Sequence, residues 1–137
     1  MNLSVEDPRV SEVMSVAREA AGRAYAPYSD FHVGAAILTT GGAVYGGSNV
    51  ENASYGLAIC AERNAATTMS HTDPQDRKVR LVAIYSPNAS PCFPCGACRQ
   101  FLREFDCEEV VVESADGELL SYPFREMLPN SFGPESL

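Results

Sequence analysis

Three cysteines at equal steps, Cys92, Cys95 and Cys98, are divided by Pro94 in the stretch SPCFPCGACRQ, residues 90–100. A proline lacks the amide hydrogen and clashes with the preceding turn, so it opens a helix but does not sit inside one. Cys92 and Cys95 straddle Pro94 and cannot share a regular helical face. Cys95 and Cys98 follow it, at the start of the helical run CGACRQFLREF, and residues three apart on a helix are neighbours. Of the two overlapping P-C-x-x-C motifs, the second is therefore the better chelating pair.

A metal needs more ligands than two. Thiolates and tetrahedral coordination suit Zn²⁺. The remaining candidates are Cys60, Cys92, Cys107, His32 and His71. Cys60 stands out because it opens a helix straight after a loop. The partial positive charge and free N–H groups of a helix N-terminus favour thiolate over thiol. The expected site is two helix N-termini facing one ion, with three thiolates and a water. Spacing alone leaves metal binding and thiol redox chemistry both open. Cys107 reads as a small buried hydrophobe, and Cys92 as a buried or loop thiol or a redox partner. His32 and His71 read as ordinary side chains.

The rest of the chain supplies a frame for that site. From Pro8 to Tyr25, Val10, Val13, Met14, Ala17, Ala20, Ala21 and Ala24 recur at helical spacing. HVGAAILTT (32–40) reads as a buried strand, Gly41-Gly42 as a hairpin turn and AVYGGSNV (43–50) as the returning strand. ENASYGLAI is a loop, and a helix runs from Cys60 to about Met69. SHTDPQDRK (70–78) is a polar connection. VRLVAIYS is a strong strand, and a loop with three prolines leads to the second cysteine helix. EEVVVES and LLSYP are the last strands, around the turn ADGE. FREML suits a final helical turn, and PNSFGPESL is a polar tail that frays unless something ties it down. Strands interleaved with helices predict an α/β fold, one sheet covered by helices, partly parallel where the two later helices cross over.

With 137 residues, 45% of them hydrophobic, the chain is expected to form a single domain with a real core. A net charge of -8 without a basic cluster argues against a nucleic-acid partner. No apolar run approaches a membrane span. The start, MNLSVEDPRV, has no basic and apolar leader pattern, so the expected location is the cytoplasm. Five cysteines, an odd number, make a disulfide framework a poor reading there.

CAE at Cys60–Glu62 followed by PCGAC at Pro94–Cys98 resembles the zinc nucleoside deaminases, whose signature runs H-x-E…P-C-x-x-C. Cysteine in place of the histidine is similar to the small cytidine deaminases that act on free nucleosides. AYAPYSDFHVGAA, NVENASYG, ICAERNA, PCGACRQ and EMLPNSFGPE resemble that family in order, over nearly the whole chain. The resemblance implies a cytidine-deaminase-like three-layer α/β/α sandwich with a mixed five-stranded sheet, assembled as a homotetramer. It implies one Zn²⁺ per subunit held by Cys60, Cys95 and Cys98, with Glu62 as catalytic acid and base. It implies that Asn49 and Glu51 hold the ribose hydroxyls, that Phe31 lies beside the base, and that the Ala61 backbone helps to recognise the pyrimidine. Arg63 matches an arginine that hydrogen-bonds ligand thiolates. Tyr55 and Phe132 match residues that reach into a neighbouring subunit's site. Cys92 and Phe93 depart from the pattern at the mouth.

The implied reaction is hydrolysis of cytidine or 2'-deoxycytidine to uridine or 2'-deoxyuridine and ammonia, a step of pyrimidine salvage. Spacing alone does not assign Glu62. At about 100° per residue it lies roughly opposite Cys60 around an ideal helix. Three thiolates leave a zinc centre with a formal charge of about -1, which opposes deprotonation of its water. Arg63 and the two helix N-termini would offset this. Other readings are a thiol redox protein, a structural zinc module that leaves Glu62 replaceable, and a deaminase of a modified or antibiotic nucleoside of the blasticidin type. NVEN favours ordinary ribose over the last of these.

Overall fold

Asp7 sets the first helix. Its carboxylate accepts from the Arg9 amide at 2.9 Å, and Pro8 follows at the first helical position. The computed structural model describes residues 3–137, so Met1 and Asn2 of the expected 1–137 domain lie outside the described residues. Helix α1 spans Pro8–Ala21 and buries Val10, Val13, Met14, Ala17, Ala20 and Ala21 along one face. It stops short of Tyr25, the end expected from periodicity. There the backbone leaves the helix to form an isolated bridge with Val50: the Tyr25 amide donates to Asn49 O at 3.0 Å, and the Glu51 amide to Tyr25 O at 2.8 Å.

Strands β1 (Gly34–Thr39) and β2 (Val44–Ser48) form the expected hairpin. Helix α2 (Ala61–Thr72) begins at Cys60, its N-cap, and runs one turn past the expected end at Met69. The polar residues Ser70, His71 and Thr72 belong to the helix and not to the expected connection, because the Thr72 hydroxyl bonds back to Thr68 O at 2.6 Å and continues the turn. Asp73, followed by Pro74, then ends it. Strand β3 (Val79–Tyr85), helix α3 (Gly96–Glu104), β4 (Glu109–Glu113), β5 (Leu119–Pro123) and the short α4 (Phe124–Met127) complete the order.

The sheet order is β2-β1-β3-β4-β5. Only β3 and β4 pair in parallel, and α3 makes that crossover; the other neighbours are antiparallel. Side chains alternate between two cores, as the period-two geometry of strands requires. Ala36, Leu38, Leu81, Ala83 and Val111 pack with Val10, Val13, Met14 and Ala17 of α1. Ala35, Ile37, Val82, Ile84, Val110 and Val112 pack with Ala61, Ala65, Met69 and Leu102 from α2 and α3. The result is the expected three-layer α/β/α arrangement.

Two glycines set how closely the layers meet. A Cβ at Gly34 would stand 1.9 Å from Ala17 O of α1, and one at Gly47 would stand 2.4 Å from Ala65 N of α2. Both strands therefore press their backbones against a helix, where no larger side chain fits.

The register also decides where a site can form. Gly34 pairs with Ser48 on one side and Tyr85 on the other. The segment entering β1 and those leaving β2 and β3 therefore emerge at one end of the sheet. The tail is fastened to α3. Arg99 Nη1 donates to Met127 O at 2.8 Å, Gln100 Nε2 to Phe132 O at 2.9 Å, and Arg103 Nε to Ser131 Oγ at 2.9 Å. Arg103 also pairs with Glu135. Among the described residues, no helix is long and apolar enough to cross a membrane.

Candidate metal centre and substrate cavity

Helices α2 and α3 bring their N-termini together on the second core. Cys60 caps α2 and Cys95 caps α3, each with extended backbone, and the Cys95 sulfur accepts the Cys98 amide at 3.4 Å. Cys60 Sγ and Cys95 Sγ are 3.6 Å apart, and the sulfurs of Cys60, Cys95 and Cys98 all lie within 4.8 Å of one another. Tetrahedral thiolates at Zn–S bonds of about 2.3 Å stand about 3.8 Å apart. The three residues therefore fit a zinc ion by ligand type and spacing, with one coordination position left over. Cys92 is not in the cluster, as its place before Pro94 implies.

The charges around the sulfurs suit thiolate. The Cys60 thiol is drawn down to about 5, chiefly by its hydrogen bond with Cys98 and further by Arg63 and Cys95. Arg63 Nη2 lies 3.6 Å from Cys60 Sγ, and its Nε is buried without a hydrogen-bond partner. The Cys98 thiol is pushed up by that shared hydrogen bond and by burial. Three thiols this close cannot all ionise on their own, and a dication removes that conflict.

Glu62 lies in the first turn of α2, only 4% exposed. Burial pushes its carboxyl up to about 7. An ideal helix sets Glu62 and Cys60 on opposite sides, yet both line one cavity of ≈ 380 Å³. Cys60 escapes the helical angle because it is the cap, with φ -78° and ψ 158°, rather than a helical residue.

That cavity gathers Phe31, Asn49, Glu51, Cys60, Ala61, Glu62, Arg63 and Cys95, eight of the eleven residues picked out by sequence. Cys98 is buried as the third sulfur. Tyr55, 78% exposed, lines an adjoining hollow of ≈ 320 Å³ with Tyr28, Ser29 and Glu51. Phe132, 60% exposed, lines neither. A larger hollow of ≈ 550 Å³, between Arg103, Cys107, Phe124 and the tail, contains no metal-ligand set.

The same cavity carries a polar group of residues besides the sulfurs. Glu51 Oε1 accepts the Tyr28 and Ser29 amides at 2.9 and 3.2 Å, and Oε2 accepts the Ser29 hydroxyl. The Ser29 hydroxyl is the main cause that holds this carboxyl below its usual range. Asn49 braces the entry to β1: its Oδ1 accepts the Val33 amide and its Nδ2 donates to Phe31 O, each at 2.8 Å. Cys92 and Phe93 also line the cavity, with Phe93 edge-on to Tyr122 at 5.5 Å between centroids. Burial raises the Cys92 thiol to about 11, so it is an apolar wall rather than a nucleophile. Ser29 was missed by the sequence reading, and a serine in a turn carries no signal that would have marked it.

Residues 8–114 match the family model described as the cytidine and deoxycytidylate deaminase zinc-binding region. The chain is 34% identical over 131 residues to a cytidine deaminase of Sporosarcina psychrophila, covering 93% of this chain and 94% of that protein. A probable cytidine deaminase of Dictyostelium discoideum is 43% identical over 114 residues, 83% of this chain and 77% of that one. Among solved structures, cytidine deaminase from Mycobacterium tuberculosis superposes with a TM-score of 0.80 at 35% identity, covering 93% of this chain and 99% of that chain.

Proposed function

The chain belongs to the cytidine and deoxycytidylate deaminase family and is a zinc-dependent deaminase, and from that premise we propose that it hydrolyses free cytidine and 2'-deoxycytidine to the uracil nucleosides and ammonia. The observation that carries this reading is the cavity that the two carboxyl groups share. The buried Glu62 and two of the three clustered sulfurs, Cys60 and Cys95, line it together with Glu51, a carboxylate held by backbone amides. We propose that residues 1–137 act as one domain and work in the cytoplasm, where reducing conditions keep the thiols free.

Cys60, Cys95 and Cys98 would hold the zinc ion, which would supply activation of water near neutral pH. Everything else falls to the chain. Glu62 takes the proton as water adds to C4 of the pyrimidine, and passes it to N3. It then carries the second water proton to the departing amine, so cytidine and water become uridine and ammonia with no other reactant. A carboxyl near 7 both accepts and gives a proton at working pH. Arg63 holds the Cys60 sulfur, and Ala61, at the head of α2, presents backbone to the base. Phe31 covers the ring, and Asn49 and Glu51 take the sugar hydroxyls.

We further propose a homotetramer with shared sites. Phe132 is exposed and lines neither the cavity nor the hollow beside it, which supports a role at a neighbouring copy's base. Tyr55 and Leu57 stand exposed beside the mouth, an apolar surface of the kind that marks interfaces.

Ultraviolet assay of the purified protein against a nucleoside panel, with metal analysis, tests the substrate. Turnover of cytidine with one zinc per chain is expected, and cytosine turned over equally well would sink the sugar reading. Light scattering tests assembly: a fully active monomer at assay concentration removes shared sites.

A further inference from the structure

Ser29 sits in the exposed turn between α1 and β1, and its hydroxyl has two partners. It donates to Glu51 Oε2 and accepts the Phe31 amide at 3.0 Å. Its own amide, with that of Tyr28, takes Glu51 Oε1. Phe31 is held from the other side by Asn49 Nδ2 at 2.8 Å. Among the described residues, the Ser29 hydroxyl is the one side-chain group bonded to both the Glu51 carboxylate and the Phe31 backbone.

A carboxylate offers about four acceptor positions. Tyr28 and Ser29 occupy three of them on Glu51. That leaves about one for a ligand, in a direction set by the other three. A ligand group meeting it must donate, as a hydroxyl does.

We propose that Ser29 is a positioning residue for sugar recognition: it holds Glu51 with one free acceptor facing the cavity, and ties that carboxylate to the backbone carrying Phe31. The proposal rests on the reading that Glu51 takes a sugar hydroxyl. The lowered pKa of Glu51, caused first by this hydroxyl, agrees with an acceptor-only carboxylate at neutral pH.

The zinc-loaded enzyme is compared with Ser29→Ala, Ser29→Thr and Glu51→Gln, using cytidine and 2',3'-dideoxycytidine, the latter as substrate or competitive inhibitor. Loss of a hydrogen bond to a charged group at an exposed site is expected to raise KM for cytidine about tenfold in Ser29→Ala, with a smaller change in kcat. The dideoxy compound, which lacks the ring hydroxyls, should bind both proteins alike. Ser29→Thr should restore KM, and Ser29→Ala combined with Glu51→Gln should be no worse than Glu51→Gln alone. If Glu51→Gln separates the two compounds but Ser29→Ala penalises both equally, or neither, Ser29 has no positioning role and the Glu51 reading stands. If Glu51→Gln leaves cytidine KM unchanged, both readings fall. A fall in kcat and zinc content for both compounds would mark Ser29 as merely structural.

Discussion

Glu62 and Glu51 face one cavity from opposite surroundings. Glu62 is buried at a helix start without a donor strong enough to offset the loss of water, and its carboxyl rises to about 7. Glu51 sits in a loop near solvent, holds three donors, and falls below its usual value. One carboxyl is set to move protons and the other to keep its charge. Surroundings that push two like groups apart assign their roles. The thiols repeat the lesson. Cys60, beside Arg63 and two other sulfurs, is drawn down, while Cys92, one wall away, is raised by burial.

The widest gap lies among the cysteines. Cys60→Ala, Cys95→Ala and Cys98→Ala are each expected to lose the metal and essentially all activity. Cys92→Ala and Cys107→Ala should keep one zinc per chain by elemental analysis. A site emptied by Cys92→Ala but filled in Cys95→Ala would reverse the choice of motif. The two carboxylates separate next. Glu62→Gln should keep zinc and fold yet lose turnover by roughly 10² to 10⁴-fold, the range of general acid–base steps. Near-normal turnover would remove Glu62 from proton transfer. Glu51→Gln should instead act on KM.

The smallest effect is a pH signature. The folded value of Glu51 lies below its ordinary 4.5. Its stabilising contribution is therefore complete above about that pH and is lost as pH falls through the folded value. The difference in unfolding midpoint between the natural chain and Glu51→Gln should close as pH drops below about 4.5. A gap that stays constant would mean that the Ser29 and Tyr28 donors do not select the ionised form.

The sequence pattern revealed the elements well and their neighbours poorly. Short continuous apolar runs mark β1, β3 and β4, and Pro94 alone separates Cys92 from Cys95 and Cys98. Yet nothing local shows that β1 lies between β2 and β3, because pairs such as Gly34 with Tyr85 are set by packing across the sheet. The same distance effect hid the Glu62 geometry, since a helical wheel treats Cys60 as helical when it is the cap. It also hid the anchorage of the tail. Arg99, Gln100 and Arg103 read as an ordinary polar face of α3, and only the fold shows that Met127, Phe132, Ser131 and Glu135 come to meet them.

Gly47 lies outside the cavity, yet it governs what variation the catalytic end can tolerate. A Cβ there would stand 2.7 Å from Ala61 O and 2.4 Å from Ala65 N. Any side chain must lift α2 off the sheet, and with it Cys60 and Glu62. A library randomised at this position and selected for turnover should return glycine alone. The depth of the reaction chamber is thus closed to stepwise change at its own foundation, while the mobile vocabulary of specificity is left to wall residues carried on a loop, Phe93 above all.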